Sequence, residues 1–313
     1  MKILVVGAGA MGLYFAGALA AVPGNSVALL ARGAAVARFA EGDPVAIEYA
    51  DRRVQHRDLR VIEGIVEVSG PLDVIIVAVK SWQVPDVAAQ IAPLVGEGTL
   101  VLTLQNGVDA PLQVAGVVGD EHTVAATCVV IAERVAPLTV RCLGADATLE
   151  LGPIATSEQA TADLSRLASA LNDAGMTARV NLDMPKALWR KLMLVSSYGG
   201  VGALTRQPTG VTSADPGALA LVESAMREVA AVARAQGIDI SDEHVAAAMA
   251  VYLGFEPGTT SSMQRDLLAG RRSELFEQNG AVVAYADRAH VEVPVHRMVL
   301  TAMAPGERLA RER

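Results

Sequence analysis

The first residues able to carry chemistry form a glycine cluster near the start of the sequence. Six consecutive residues make it up: Gly7, Ala8, Gly9, Ala10, Met11 and Gly12. They fit the pattern G-x-G-x-x-G, with a strand predicted before them at residues 2–6 and a helix after them at residues 12–22. There Gly7 permits a tight turn, Gly9 lets a pyrophosphate approach the backbone, and Gly12 allows close helix packing. The cluster predicts a dinucleotide site at the positive end of the helix dipole, the alternative being a glycine-rich turn without a ligand.

The end of the second predicted strand bears on which dinucleotide would bind. A carboxylate there usually holds the ribose 2′-hydroxyl of NAD, whereas an arginine suits the 2′-phosphate of NADP. Residues 27–30 form the strand, and Ala-Arg-Gly follows it, with Arg32 in the middle and no acidic residue. Arg32 therefore favours NADP(H), and the alternative is a solvated surface arginine.

Two more strand ends carry polar side chains. Lys80 follows the apolar run 74–79, and Asn106 comes shortly after the run 100–104. Ligands of doubly wound sheets lie outside the carboxyl ends of the strands. We therefore expect Lys80 to contact phosphate or ribose and Asn106 to contact nicotinamide or substrate, the alternative being that both are ordinary solvated loop residues.

The elements that must position these residues alternate between strand and helix in the first half of the sequence. The apolar runs at 3–6, 27–30, 74–79 and 100–104 are typical of strands buried on both faces. Helices are expected between them at 12–22, 34–40 and 84–94. This pattern predicts an α/β, Rossmann-like, doubly wound domain at residues 1–180 that binds NADP. The runs 124–132, 138–143 and 148–151 are predicted to extend the sheet in antiparallel fashion, and 177–180 is a candidate last strand.

The second half, residues 181–313, is predicted to be an all-helical domain. A helix at 157–174, capped by Ser157 and Gly175, precedes it. The further helices are predicted at residues 185–204, 216–236, 242–253, 262–269, 273–289 and 294–304.

Composition narrows the class of protein. The chain has 313 residues, and 26 Lys and Arg against 34 Asp and Glu leave a net charge of −8, which argues against nucleic-acid binding. Hydrophobic residues make up 52% of the sequence, enough for a large core. The apolar stretch 3–23 resembles a secretion signal, but its glycines weaken that interpretation. Because only two cysteines are present and no membrane span is evident, we expect a soluble, cytoplasmic protein.

Metal and hydrolase chemistry are poorly supported. The five histidines form no H-E-x-x-H pair, the cysteines lack C-x-x-C spacing, and no G-x-S-x-G motif is present. No metal site is therefore predicted. The oligomeric state stays open, although an apolar helical domain is compatible with a homodimer.

Taken together, the motifs resemble those of the ketopantoate reductase (2-dehydropantoate 2-reductase) family. The Leu-Trp-Arg-Lys-Leu and Ser-Ser-Met segments are more diagnostic than the glycines. The matching segments occur in family order at residues 7–12, 79–83, 105–107, 188–192, 261–266, 273–274 and 279–280.

The resemblance implies that residues 181–313 form the substrate and catalytic domain. It also implies NADPH-dependent reduction of a 2-oxo acid to a 2-hydroxy acid. In the family this reaction converts 2-dehydropantoate to pantoate for pantothenate biosynthesis. By resemblance, the catalytic lysine is Lys191, and Glu274 lies near both that lysine and the cofactor ribose. Asn106 touches cofactor and substrate, and Ser262 holds the substrate. Arg32 and Lys80 match the family's cofactor-binding cations. An ammonium group can stabilise the oxyanion of a reduced ketone and then protonate it. Taken singly, Lys191 is also compatible with a surface lysine and Glu274 with a residue placed by a helix dipole.

One departure from the family pattern concerns the substrate. The family places asparagines about one and two helical turns after the catalytic lysine, where this sequence has Val195 and Gly199. Ser196, Ser197 or Tyr198 are the polar residues nearby. Two alternatives to pantoate formation therefore remain: reduction of a different 2-oxo acid or ketone, and a non-catalytic NADP(H)-binding sensor.

Overall fold

The computed structural model describes residues 1–154 and 158–312. The chain divides into two compact units. The first comprises Met1–Gln105 and Ala110–Met184, and the second comprises Asn106–Asp109 and Pro185–Arg313. The short segment Asn106–Asp109 thus belongs to the second unit although the first unit surrounds it in sequence.

Strands dominate the first unit. In the described part of the chain they are β1 Lys2–Val6, β2 Ser26–Leu30, β3 Val45–Glu48, β4 Arg53–His56, β5 Leu59–Ile62, β6 Val74–Val77, β7 Leu100–Thr103, β8 Thr123–Val129, β9 Ala132–Ala136, β10 Thr139–Cys142, β11 Thr148–Pro153 and β12 Thr177–Val180. Eight of them form one sheet in the order β12-β11-β8-β7-β6-β1-β2-β5, and four form a smaller sheet in the order β4-β3-β10-β9.

The large sheet is parallel from β5 through β8. Helices cover both of its faces: α1 Ala10–Ala20, α2 Ala34–Ala40, α3 Val84–Ile91, α4 Asp109–Val118 and α5 Glu158–Asp173. A hydrophobic core lies on each face of the large sheet, and alternate residues of β1 pack into one core or the other. Ile3 packs towards α1 and the small sheet, and Leu4 packs towards α3 and α4. Such a strand is buried on both faces, so β1 is apolar from Ile3 to Val6. The predicted Rossmann-like α/β fold class is confirmed.

The prediction for residues 124–151 is correct only in part. β8 and β11 do extend the large sheet, but the predicted antiparallel pairing holds for β11 with β8, whereas β8 pairs in parallel with β7. The run predicted at 124–132 ends at Val129, and β9 begins separately at Ala132. By contrast, β10 pairs in parallel with β3 and antiparallel with β9 in the small sheet. The run 138–143 was assigned to the wrong sheet because β3 and β9, the two partners of β10, were not expected.

Helix ends also differ from the predictions in the first unit. α1 begins at Ala10 rather than at residue 12, and α4 was not predicted. α3 ends at Ile91, with a 3-10 turn at Ala92–Leu94 completing the predicted stretch. Ser157, expected to cap α5, lies outside the described residues.

The second unit is helical. Its described helices are α6 Met184–Thr205, α7 Thr209–Ala214, α8 Pro216–Ala235, α9 Asp242–Leu253, α10 Ser262–Leu268, α11 Asn279–Ala289 and α12 Pro294–Arg311. α6 begins at Met184, the last residue of the first unit. α7 was not predicted. No helix among the described residues is long and apolar enough to cross a membrane.

Two helix boundaries in this unit correct the predictions. α11 begins at Asn279 rather than at residue 273, because Ser273 is drawn into hydrogen bonds with Glu307 instead of capping a helix. α12 continues through Pro305 to Arg311 rather than ending at residue 304. A proline inside a helix costs about 3 kcal/mol. Here the turn beyond it is held by buried contacts of Glu307 and by ion pairs of Arg311.

Candidate active site

The glycine loop of the first unit leaves space for a phosphate. Gly7 has a φ of +107°, which side chains other than glycine rarely adopt. A Cβ atom on Gly12 would lie 1.7 Å from the Gly7 carbonyl oxygen, so α1 packs directly on the loop. At Gly9 a Cβ atom would meet nothing within 4 Å. The loop is therefore closed where the helix packs and open at Gly9, where the first-turn N–H groups of α1 form an anion site. This arrangement fits a dinucleotide pyrophosphate.

Two strand ends meet the glycine loop. The Gly7 N–H donates to the Leu30 carbonyl oxygen over 3.0 Å, which ties the loop to the end of β2. A Cβ atom on Gly7 would lie 2.8 Å from Val79, so the loop also touches the segment after β6. Arg32 follows the first of these ends and is exposed, and Lys80 follows the second and is half-buried. The two predicted cations therefore extend from the strand ends that border the loop.

A third cation beside the loop was missed from the sequence. Arg134 lies on β9 of the small sheet, and its Nη1 donates to the Ala8 carbonyl oxygen over 3.4 Å. The two residues are 126 positions apart. No local pattern signals such a contact, because an arginine on an exposed strand is ordinary.

The segment that carries Asn106 is anchored within the second unit. The Tyr285 hydroxyl on α11 donates to Asp109 Oδ1 over 2.7 Å. The Tyr285 ring packs edge-on against Trp189 of α6, with ring centres 5.3 Å apart. Gly107 has a φ of +110°, and a Cβ atom there would lie 3.0 Å from the Glu277 carbonyl oxygen. Burial and the hydrogen bond to Asp109 raise the pKa of Tyr285 to about 12. Asn106, itself half-buried, is thereby fixed next to α11 and the turn before it.

That turn, residues 273–278, carries Glu274. The Glu274 side chain is buried, and Gln278 Nε2 donates to its Oε2 over 3.3 Å. The turn is held from α12, since the Ser273 hydroxyl donates to Glu307 over 2.6 Å and Arg311 pairs with Glu277 at 2.8 Å. Burial raises the pKa of Glu277, and the Arg311 guanidinium opposes this shift.

Ser262 is the first residue of α10 and is half-buried. The preceding residue, Ser261, caps the helix by accepting the Gln264 N–H over 3.0 Å. A Cβ atom on Gly199 would lie 2.5 Å from Ser261 Oγ. The start of α10 therefore packs tightly on α6, eight positions after Lys191. Gly199 cannot be replaced by a larger residue without moving Ser261.

Lys191 lies in the first half of α6 and is half-buried. At about 100° per residue, Val195 and Tyr198 lie within about 40° of Lys191 around the helix axis. Ser196 and Ser197 lie about 140° and about 120° away from it. Of the three polar residues suggested by the sequence, only Tyr198 shares the side of α6 that carries Lys191.

Ser196 belongs to a buried network that the sequence did not suggest. Its hydroxyl donates to the Leu192 carbonyl oxygen over 2.7 Å and lies 3.2 Å from His296 Nε2. His296 Nδ1 lies 2.7 Å from the Glu228 carboxylate, which also accepts the N–H groups of Val295 and His296. The network joins α6, α8 and α12, so Ser196 holds the helix of Lys191 in place rather than facing a ligand.

The described residues contain no group of three or more His, Cys, Asp or Glu arranged to hold a metal ion. Cys128 and Cys142 are both buried thiols, and burial raises the pKa of Cys142 to about 11. A thiol with so high a pKa stays protonated at neutral pH and is a poor nucleophile.

Comparison with known proteins identifies the family. Residues 3–156 match the family model described as "Ketopantoate reductase PanE/ApbA", and residues 183–307 match the one described as "Ketopantoate reductase PanE/ApbA C terminal". A 2-dehydropantoate 2-reductase of Caulobacter vibrioides is 30% identical over 302 residues, which cover 96% of this chain and 98% of that protein.

Solved structures also resemble this chain in fold. The crystal structure of a PanE/ApbA family ketopantoate reductase from Ralstonia eutropha has a TM-score of 0.87 and 29% identity, covering 99% of this chain and 100% of that one. D-mandelate dehydrogenase, solved with NADH and anilino(oxo)acetate, has a TM-score of 0.88 at 23% identity and covers 99% of both chains, a likeness that shows the fold.

The two family matches span both units of the chain, and the relatives are named 2-dehydropantoate 2-reductase. These findings confirm the resemblance inferred from the motifs. The chain belongs to the ketopantoate reductase (PanE/ApbA) family.

Proposed function

We propose that the protein is an NADPH-dependent reductase that converts a 2-oxo acid into a 2-hydroxy acid, with Lys191 as the general acid. The observation that carries the proposal is the arrangement of the second unit. Direct contacts there join the helix of Lys191, the segment of Asn106 and the turn of Glu274. Each of these elements holds a residue that matches a family motif.

The cofactor is proposed to be NADP(H). The open position at Gly9 and the anion site of α1 suit the pyrophosphate. Arg32 is proposed to pair with the 2′-phosphate, and Lys80 with phosphate or ribose oxygens. When bound, the reduced nicotinamide supplies the hydride. Asn106 and Glu274 are further proposed contacts of the cofactor, at the nicotinamide and the ribose.

Lys191 is proposed to act on the carbonyl oxygen of the substrate. Reduction of a ketone builds negative charge on that oxygen, and an ammonium group stabilises it electrostatically. The ammonium then donates a proton from Nζ to give the alcohol. A lysine is protonated at neutral pH without tuning, because its ordinary pKa is near 10.4. Glu274 is proposed to keep Lys191 charged and oriented.

Ser262 and Asn106 are proposed to hold the substrate by hydrogen bonds. Both are half-buried and polar, and both stand on elements fixed by tertiary contacts. A site held by such contacts is pre-organised, so that little ordering is needed when the substrate binds.

Two substrate assignments remain within the same chemistry. 2-Dehydropantoate is the substrate for which the relatives are named. A different 2-oxo acid or ketone is the second candidate, favoured by Val195 and Gly199 on the side of α6 that carries Lys191. A non-catalytic NADP(H) sensor would not require the elements of the second unit to be joined as they are.

The proposal is tested by the loss of NADPH absorbance with purified protein, 2-dehydropantoate and a panel of 2-oxo acids. Lys191→Ala should lower kcat by about 100-fold or more, the effect of losing a general acid, while NADPH binding is kept. Lys186→Ala is the matched control. Lys186 lies on the same helix, about 140° from Lys191, and pairs with Asp239 at 3.7 Å, so its replacement should leave kcat within about twofold. Unchanged turnover in Lys191→Ala would contradict the assignment.

A further inference from the structure

Among the residues that the structure describes, the side of α6 around Lys191 is the one accessible side of the middle of this helix. From Lys191 to Ala203, nine residues are buried and four are half-buried. The half-buried residues are Lys191, Leu194, Val195 and Tyr198, which we call the α6 strip. At about 100° per residue these four lie within a sector of about 100°. A substrate whose carbonyl oxygen contacts Lys191 can touch the middle of α6 only along this strip, because the other described residues from Lys191 to Ala203 are buried.

The α6 strip is apolar apart from the Lys191 ammonium and the Tyr198 hydroxyl. Leu194 and Val195 offer only alkyl surface. The Tyr198 ring packs edge-on against Phe255, with centres 5.2 Å apart, and stacks on Tyr252 at 6.4 Å. These contacts hold the Tyr198 ring in place on the strip.

Three serines near the strip, Ser196, Ser197 and Ser261, are turned away from it or already bonded. The Ser196 hydroxyl donates to the Leu192 carbonyl oxygen of α6 and contacts His296. Ser197 lies about 120° from Lys191. Beyond Tyr198, Gly199 carries no side chain, and Ser261, which fills the space next to it, accepts the Gln264 N–H.

From this strip we infer that the enzyme prefers a 2-oxo acid whose side chain is apolar and carries no hydroxyl group. The inference rests on the proposed function, since it takes Lys191 as the group that meets the carbonyl oxygen. A hydroxyl on the substrate side chain would lose hydrogen bonds to water and find no amide or carboxylate partner along Leu194 and Val195. An alkyl or aryl side chain would instead bury apolar surface there.

A matched pair of substrates tests the inference. 2-Dehydropantoate is 4-hydroxy-3,3-dimethyl-2-oxobutanoate, and 3,3-dimethyl-2-oxobutanoate differs from it only in lacking the hydroxyl. An apolar pocket rejects an added hydroxyl by up to about 100-fold. We therefore expect kcat/KM for the compound without the hydroxyl to exceed that for 2-dehydropantoate by about tenfold or more, with NADPH saturating.

Variants locate the preference on the strip. Val195→Asn adds an amide next to Lys191 and should move the ratio of the two kcat/KM values towards 2-dehydropantoate by about fivefold or more. Val251→Asn makes the same replacement at an exposed position of α9 and should leave the ratio unchanged. Tyr198→Phe removes the one hydroxyl of the strip while keeping the ring, and it too should leave the ratio unchanged.

The outcomes separate the inference from the proposed function. Equal or higher kcat/KM for 2-dehydropantoate in the parent protein would overturn the apolar preference while leaving the reductase activity in place. A preference for 2-dehydropantoate that disappears in Tyr198→Phe would show that the phenol binds the substrate hydroxyl. If no 2-oxo acid of a broad panel were reduced, the proposed function would fail, and the inference would fail with it.

Discussion

The hydrogen bond from Tyr285 to Asp109 is the contact that fixes the segment of Asn106, and Tyr285→Phe removes it selectively. The donor and acceptor are 2.7 Å apart and lie 176 positions apart in sequence. A phenylalanine ring would keep the edge-on packing against Trp189. The variant therefore changes one hydrogen bond and leaves the apolar contacts of α11 with α6 in place.

The expected magnitude follows from the charge and burial of the pair. A hydrogen bond to a charged group contributes about 1.5–3 kcal/mol. Asp109 is half-buried in the first turn of α4, where water and the helix dipole continue to stabilise its charge, so we take the lower end, about 1.5 kcal/mol. If this free energy holds Asn106 in its working position, its loss lowers kcat/KM by about tenfold, since about 1.4 kcal/mol corresponds to a factor of ten.

The assay compares Tyr285→Phe with Tyr252→Phe. Tyr252 lies in the same unit, and its hydroxyl makes a 2.8 Å hydrogen bond with Thr212 Oγ1, so the control also loses one phenol hydrogen bond. Both variants should lower the free energy of unfolding by about 1 kcal/mol or somewhat more. Only Tyr285→Phe should lower kcat/KM for NADPH-dependent reduction by about tenfold. Equal kcat/KM in the two variants would refute the idea that Tyr285 positions Asn106.

Three further predictions concern the cofactor and the pH dependence of stability. Arg32→Ala should raise KM for NADPH by about tenfold and leave KM for NADH unchanged, because a charge-assisted contact to the 2′-phosphate is lost. Unchanged KM values for both cofactors would contradict the proposed contact of Arg32 with the 2′-phosphate. Arg134→Ala should weaken the binding of both NADPH and NADH by a few-fold. The control Arg141→Ala breaks only an exposed ion pair with Glu48 and should leave cofactor binding unchanged. Equal cofactor binding in the two variants would show that Arg134 does not reach the cofactor. Burial raises the pKa of all five tyrosines: Tyr14, Tyr49, Tyr198, Tyr252 and Tyr285. Because these folded-state pKa values lie above the unfolded value near 10, the neutral phenols stabilise the fold fully below pH 10, and this stability is lost as the pH rises further. Tyrosinate absorbance should accordingly appear at higher pH in the native protein than in denaturant, and coincident titration curves would contradict the prediction.

The sequence predicted the large sheet because buried parallel strands leave a strong signal. β1, β2, β6 and β7 are apolar apart from single polar residues at their ends, and helices lie between them in the sequence. β4 was missed because it is the edge strand of the small sheet, where exposed polar residues are tolerated. α4 was missed because Pro111 and Gly116 interrupt its pattern. The structure accommodates both, with Pro111 in the first turn, where a missing N–H costs little.

For the site, local patterns predicted residue types at strand ends, and tertiary contacts decided the rest. The ends of β2 and β6 border the glycine loop, as the rule for parallel sheets predicts. Arg134 could not be predicted, since its contact with Ala8 depends on the small sheet. The orientation of Ser196 likewise depends on His296, 100 positions away. The roles of Lys191, Ser262 and Glu274 came from resemblance alone, and they stay predictions that the experiments above can test.

The turn that presents Glu274 has a consequence for how the protein is made. Its hydrogen bonds and ion pair come from Glu307 and Arg311, each 34 positions after its partner in the turn. A nascent chain can therefore build the glycine loop early but cannot complete this turn until α12 has been synthesised. Domains generally fold in order as they emerge from the ribosome. During synthesis, the ability to bind a cofactor should accordingly arise well before the ability to catalyse, and shortening α12 should remove the second while sparing the first.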